Sequence, residues 1–354
     1  MNSLCFQSPR RLFLILTSVS SLLLAGCASR SLTSDPSLIQ IQTPKSVIFD
    51  TDMAHEDMFA ALFLLSHPNV DVRGITVAGT GEVHCGPGVA HALGLVILTG
   101  HETIPVACGR EKPLAGNHAF PADWRQAVDR AYGVQIPVGG EASKLSAADL
   151  IIDILRKSNE TITIVAVGPL TNIAEALQRA PEISAKMKEI YIMGGAVEAE
   201  GNVGNSGVNI QNEYAEWNIY IDPKAANIVF KAGVPIVLVP LDATDDVPVT
   251  RDFYQALDKN RNTPAAKLVY ELLTANLDFV DSGGFQFWDS LTSASFTDQS
   301  LVTFKELNLS VVEEEGPESG RVKQDPNGSK IKVALSADRK NFEPVLLTIL
   351  NWTD

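Results

Sequence analysis

A short apolar run, Val47-Ile48-Phe49, leads directly into Asp50-Thr51-Asp52 and then into a helix-forming stretch over residues 57–65. A strand with no polar alternation is covered on both faces, which only helices or a second sheet can do. The same unit recurs. Residues 70–78 read as a strand followed by a helix over 89–98, 162–167 as a strand followed by 172–177, and 190–193 as a strand followed by 223–230, with a further strand at 236–239. Strand-then-helix alternation with short connections predicts an α/β fold, with a mostly parallel central sheet carrying helices on both faces. The loops at the strand C-termini should then carry the chemistry. With 45% hydrophobic and 20% charged residues, the chain can bury one large core, and no repeat or linker divides residues 45–354. Those residues are expected to form a single domain.

The formal charge of −14 excludes most polyanionic partners, because no Lys/Arg run supplies a local basic stripe for a nucleic-acid backbone. Arg10 and Arg11 precede an almost uncharged run over residues 12–24, as in a secretory leader, and the run is too short to span a bilayer comfortably. It ends in Leu24-Ala25-Gly26-Cys27, which resembles the lipobox of bacterial lipoproteins. That resemblance implies a signal peptide over 1–26, lipidation of Cys27, and a place in the bacterial cell envelope held to the membrane by the N-terminal lipid only. The alternatives are an ordinary cleavable signal and an uncleaved anchor. Residues 27–44, rich in Ser and Thr, read as a tether. Cys85 and Cys108 would remain in an oxidising compartment where a disulfide is allowed, although two buried thiols are the simpler expectation.

The segment from Asp50 to Asp57 holds four carboxylates, Asp50, Asp52, Glu56 and Asp57. So many like charges at a strand end make physical sense when a hard cation neutralises them, and oxygen-only ligands favour Ca²⁺ or Mg²⁺ over zinc. Glu56 or Asp57 alone could simply favour the start of the following helix. An Asp-x-Asp after a strand also begins phosphatases similar to the haloacid dehalogenases, but Met53-Ala54 follows here in place of Gly-Thr or Gly-Val.

Asp50-Thr51-Asp52-x-x-x-Glu56-Asp57 resembles the N-terminal motif of the inosine-uridine-preferring nucleoside hydrolases, departing from it at Glu56 and in lacking Pro-Gly. Three later segments match that family in the same order. They are Val167-Gly168-Pro169-Leu170-Thr171-Asn172, then Met193-Gly194-Gly195 with Ala215-Glu216-Trp217-Asn218, and last Phe287-Trp288-Asp289-Ser290-Leu291. The resemblance implies Ca²⁺-dependent hydrolysis of the N-glycosidic bond of ribonucleosides, and a homodimer or homotetramer. It implies that Asp52, Asp57, Asp289 and the Val167 carbonyl hold the metal, that Asp52 is also the general base, and that Asp50 supports them from behind.

On the same resemblance, Glu56, Glu216 and Asn218 grip the ribose, and the divergent loop around Asn202 reaches the substrate. Trp288 stands where many members carry a histidine; its indole can stack on a base but cannot protonate one. His84, in the atypical Glu82-Val83-His84-Cys85 stretch, is the histidine that could supply the missing acid. A lipid-anchored nucleoside- or ribose-binding protein with little turnover, and a phosphohydrolase acting through Asp50, are the rival readings. The latter lacks a phosphate-gripping Lys or Arg beside the motif.

Overall fold

The structure is a computed structural model that describes residues 32–353. The leader and Cys27 lie outside the described residues. Nine strands form one sheet: β1 (Lys45–Thr51), β2 (Val70–Val77), β3 (Val106–Cys108), β4 (Ile162–Ala166), β5 (Met187–Met193), β6 (Ile236–Val239), β7 (Val302–Val311), β8 (Val322–Gln324) and β9 (Ser329–Ala337). Their order is β3-β2-β1-β4-β5-β6-β9-β7-β8. From β3 to β9 every neighbouring pair is parallel, and β7 runs antiparallel to both β9 and β8.

Alternation along β1 divides the interior into two layers. Val47 and Phe49 enter one core with the helices His55–Ser66, Pro264–Ala275, Trp288–Thr297 and Arg339–Leu350. Ile48 enters the other with Ala147–Lys157, Thr171–Arg179 and Pro223–Phe230. Helices therefore cover both faces of a mostly parallel sheet, as the alternation of elements predicts. The helix His55–Ser66 is apolar nearly all round, from Met58 to Leu65, and is buried to match.

Sequence and structure differ in three places. The helix expected over 89–98 begins at Cys85, because Pro87 falls in its first turn, where a missing N–H costs no hydrogen bond. The antiparallel edge β7–β8–β9 breaks the strand–helix rhythm. Part of the stretch read as a tether lies against the domain: Leu32 and Ile39 pack on the first core, and the Asp35 N–H donates to Thr348 Oγ1 at 2.8 Å.

Cys85 and Cys108 are joined in a disulfide, with Cα atoms 5.6 Å apart, which corrects the expectation of two free thiols. The bridge links the N-terminus of the helix Cys85–Leu98 to the end of β3, two points that the parallel β2–β3 crossover brings together. Closing a loop with a sequence separation of 23 should stabilise the fold by about 3 kcal/mol through the unfolded chain. Replacing both cysteines with alanine is therefore expected to lower the urea-unfolding free energy by about that amount. An unchanged midpoint and slope would show that the bridge adds nothing.

Candidate active site

The order of strand addition reverses at β1: β2 and β3 extend the sheet on one side, and β4, β5 and β6 on the other. Connections leaving β1 and β4 diverge there and open a crevice at the strand C-termini, the place where open α/β sheets bind ligands. Asp50, Asp52 and Val167 are delivered to this point by β1 and β4, with the Val167 N–H donating to the Asp50 carbonyl at 2.8 Å. Asp50 itself faces inward, fully buried, and its Oδ1 accepts from Thr76 Oγ1 at 2.5 Å and Asn172 Nδ2 at 2.8 Å. It ties β1 to β2 and to the helix Thr171–Arg179, and does not line the crevice.

Between β1 and the next helix the chain turns sharply, with Met53 in the left-handed region at φ 55°. A side chain there costs roughly 1–2 kcal/mol. The Asp57 carboxylate offsets that cost by collecting the Thr51 hydroxyl, the Asp52 N–H at 3.0 Å and the Ala54 N–H at 3.0 Å. One acidic side chain thus closes the turn and caps the helix. It also presents its remaining acceptor capacity to the cavity.

One oxygen each from Glu56, Asp57 and Asp289 lie within 4.8 Å of one another. Asp289 is 2% exposed and its Oδ2 has no hydrogen-bond partner, an orphaned buried oxygen that a cation would satisfy. Asp52 lines the same cavity, but its Oδ2 accepts from the Glu82 N–H at 2.7 Å. The Val167 carbonyl also lines it and accepts from Asn218 Nδ2 at 3.1 Å, leaving one lone pair free. An oxygen-only donor set of this size fits a hard divalent cation. Glu56 joins the cluster, with a carboxylate oxygen beside those of Asp57 and Asp289.

The electrostatics carry the cost of this arrangement. Burial, with Glu56 beside it, pushes Asp57 up to about 7, against the hydrogen bonds from Thr51 and Asp52. Burial and the Asp57 charge hold Asp52 well above the usual carboxylate range, and burial with the Asp57, Glu56 and Asp52 charges does the same to Asp289. Burial would raise Glu56 too, but the His55 imidazole overrides it and the carboxyl falls below its ordinary value. His55 Nδ1 is 3.0 Å from Glu56 Oε2 and 2.9 Å from Tyr132 Oη. Tyr132 Oη is the hydrogen-bond partner of Nδ1, since Glu56 Oε2 is not aligned to accept from it.

Glu216, Asn218 and Asn202 line the same cavity as the acids. Glu216 caps the short helix Trp217–Ile221 through the N–H groups of Asn218 at 2.8 Å and Ile219 at 3.2 Å, and accepts from Gly195 N at 2.8 Å. Burial nevertheless raises it to about 7. Asn218 Nδ2 holds the Val167 and Met193 carbonyls, and Asn202 Oδ1 accepts the Trp217 N–H at 3.1 Å. These three residues are brought together with the acids in one cavity of about 700 Å³, and each is anchored to backbone before any ligand arrives.

Trp288 lines the cavity with its indole N–H buried and unpartnered, its ring 6.4 Å from that of Phe279 and 5.9 Å from that of Phe285. Phe120 and Trp124 form a second aromatic wall against Trp217. His84 is not brought to the cavity. As N-cap of the helix Cys85–Leu98 it turns outward, where Nδ1 meets Asp129 Oδ2 at 2.7 Å, so its expected substrate contact is corrected. The cavity histidine is His55, whose Nε2 is buried and unpartnered. Its place beside Glu56 in the first motif was a signal that sequence reasoning passed over. Glu82, Tyr132 and the helix Ala122–Asp129 were also missed, because no motif marks them.

Comparison with known proteins agrees with this geometry. The profile of the family described as inosine-uridine preferring nucleoside hydrolase matches residues 47–344. The pyrimidine-specific ribonucleoside hydrolase RihA of Citrobacter koseri is 35% identical over 234 residues, 66% of this chain and 71% of that protein. An uncharacterized protein of Schizosaccharomyces pombe is 37% identical over 199 residues, and the match spans 56% of this chain and 61% of that one. The crystal structure of the inosine-uridine preferring nucleoside hydrolase of Bacillus anthracis superposes with a TM-score of 0.77 at 26% identity, covering 87% of this chain and all of that one. With its acidic cluster at the sheet's switch point and a family match over most of its length, the chain belongs to the inosine-uridine preferring nucleoside hydrolases, enzymes that hydrolyse the N-glycosidic bond of nucleosides.

Proposed function

We propose that this hydrolase is calcium-dependent and acts on ribonucleosides, with Asp52 as general base. One observation carries the reading: Asp52, Asp57, Asp289 and Val167 line one cavity together with aromatic side chains, and one oxygen each from Glu56, Asp57 and Asp289 lie within 4.8 Å of one another. Asp52, Asp57, Asp289, Val167 and, by its position, Glu56 would hold the ion. Bound there, Ca²⁺ supplies Lewis acidity to a water and a fixed positive charge among the carboxylates.

Asp52 accepts the proton of the attacking water as the ribosyl C–N bond breaks. Glu216, Asn218 and Asn202, already fixed by backbone hydrogen bonds, orient the sugar so that little freedom is lost at the transition state. The carboxylates place negative charge beside the developing ribosyl cation. Trp288 and the Phe120–Trp124 wall flank the base. Among the described residues no lysine or arginine lines the cavity, so a substrate bearing phosphate meets only repulsion there. Similar proteins are named both for pyrimidine and for inosine-uridine substrates, and the aromatic walls suit either ring. Lipid attachment at Cys27 to a membrane of the bacterial cell envelope, on its periplasmic or outer face, and assembly as a dimer or tetramer belong to the same reading.

Asp52→Asn in the calcium-loaded enzyme is expected to keep the fold and lose kcat by about 10²-fold to 10⁴-fold. A loss confined to KM contradicts the base assignment.

Metal removal should couple to pH. Folding raises Asp50 and Asp57 from 3.8 to about 7 and Glu216 from 4.5 to about 7. A carboxyl whose folded value lies above its unfolded value favours the fold at low pH, and that contribution is lost as pH rises toward the folded value. The melting temperature of the chelated protein should therefore fall as pH rises from about 4 through about 7. Added Ca²⁺ should raise it more at about pH 8 than at about pH 5, because proton and metal compete for the same oxygens. Equal stabilisation at both pH values, or none, contradicts the metal assignment.

The leaving group gives a third check. Trp288 offers no proton near neutral pH, so p-nitrophenyl riboside should be cleaved much faster than inosine. His84→Ala should leave the ratio of the two rates unchanged, since His84 faces Asp129 outside the cavity. Selective loss of inosine cleavage in that variant would restore His84 as the acid.

A further inference from the structure

We propose that Arg125 is a positioning residue for the reaction, clasping the loop whose backbone aims Asp52. The proposal rests on the assignment of Asp52 as base. The loop over residues 78–84 lies flush against that carboxylate: the Glu82 N–H donates to Asp52 Oδ2 at 2.7 Å, and a β-carbon on Gly81 would collide with Asp52 Cβ and Oδ2. Any outward movement of the loop removes the hydrogen bond, and any side chain at position 81 displaces the carboxylate.

A six- or seven-residue loop of this kind is not rigid by itself; its ordering must come from what holds its ends. One nitrogen, Arg125 Nη2, donates to the Gly79 carbonyl at 2.9 Å and to the Val83 carbonyl at 3.0 Å, bracketing Gly81 and Glu82 from both sides. One helical turn further on, Asp129 accepts the His84 N–H at 3.0 Å, and the disulfide fixes Cys85 to Cys108. Arg125 forms no ion pair among the described residues, so its guanidinium is committed to backbone carbonyls in place of a carboxylate. One nitrogen donating its two hydrogens to two carbonyls ties those carbonyls to a single point on the helix.

The same helix, Ala122–Asp129, presents Asp123, Trp124 and Ala127 to the cavity, with the Trp124 ring 5.4 Å from that of Trp217. Arg125 therefore connects the wall that flanks the base to the loop that aims the general base, through a single rigid element.

The test compares Arg125→Ala, Arg125→Lys and Asp52→Asn in the full-length, calcium-saturated enzyme, with inosine and uridine as substrates. Arg125→Ala is expected to lower kcat by about 10-fold to 100-fold with KM changed less than about 3-fold, as for a misplaced catalytic group. Amide exchange of the peptide covering residues 79–83 should speed up in the same variant, and Arg125→Lys should recover most of both. A kcat within about 2-fold of wild type in Arg125→Ala while those amides exchange faster overturns the proposal, as does a loss confined to KM. If Arg125→Ala does not fold, Arg125→Gln, which keeps one amide donor, carries the same comparison. Unimpaired turnover in Asp52→Asn identifies the base assignment as the failed step, because the exchange measurement reports the clasp independently of activity.

Discussion

The Asp57 carboxylate is the interaction on which the site depends. It gathers the Thr51 hydroxyl and the Asp52 and Ala54 N–H groups, and so decides where β1 ends and where the helix His55–Ser66 begins. Without that acceptor, two buried N–H groups would lose their partners and Met53 would have no reason to stay at positive φ. The same oxygens stand beside Glu56 and Asp289, so the group that organises the turn also demands a cation. Local folding and metal chemistry draw on one side chain.

That demand explains why the cluster sits on the central strand. Buried carboxylates at close range favour opening the structure, and a short edge strand would yield. β1 is paired on both sides, with Asp50 opposite Thr76 on β2 and Ala166 on β4, and the helix behind it is apolar on nearly every face. The strain is placed where the surrounding packing is hardest to disturb. Asp50 contributes by joining β1, β2 and the helix Thr171–Arg179 through a single buried oxygen.

What was readable in the sequence follows from which features have a local cause. Unbroken apolar runs such as Val47-Ile48-Phe49 announce buried parallel strands, and the acids after them announce a cation, because both signals lie within a few residues. Asp289 and Val167 were placed by resemblance, and the fold brings them to Asp52 and Asp57 from elements far apart in the chain. The edge β7–β8–β9 gave no such signal: its strands alternate buried and exposed positions weakly and are defined by their partners. The disulfide was only allowed by the sequence, since it depends on a β2–β3 crossover that sets two distant cysteines side by side. His84 misled for the opposite reason. Glu82, two residues before it, lines the cavity, but as a helix N-cap the His84 side chain points the other way, toward Asp129.

Two of the residues that sequence reasoning missed act on backbone. Arg125 bonds two carbonyls, and Glu82 contributes an N–H. Such roles leave no motif, because the partner atoms are present at every position and only the fold selects which ones matter. Catalytic carboxylates can be recognised as a residue type in a pattern, whereas their aim to within a fraction of an ångström is set by groups of ordinary type. On the roles proposed for Asp52 and Arg125, a substitution at Asp52 changes the chemistry itself. A substitution at Gly81 or Arg125 then leaves every reacting group in place and alters only where Asp52 points, and geometry of that kind governs a reaction whose nucleophile, base and sugar must meet at one carbon.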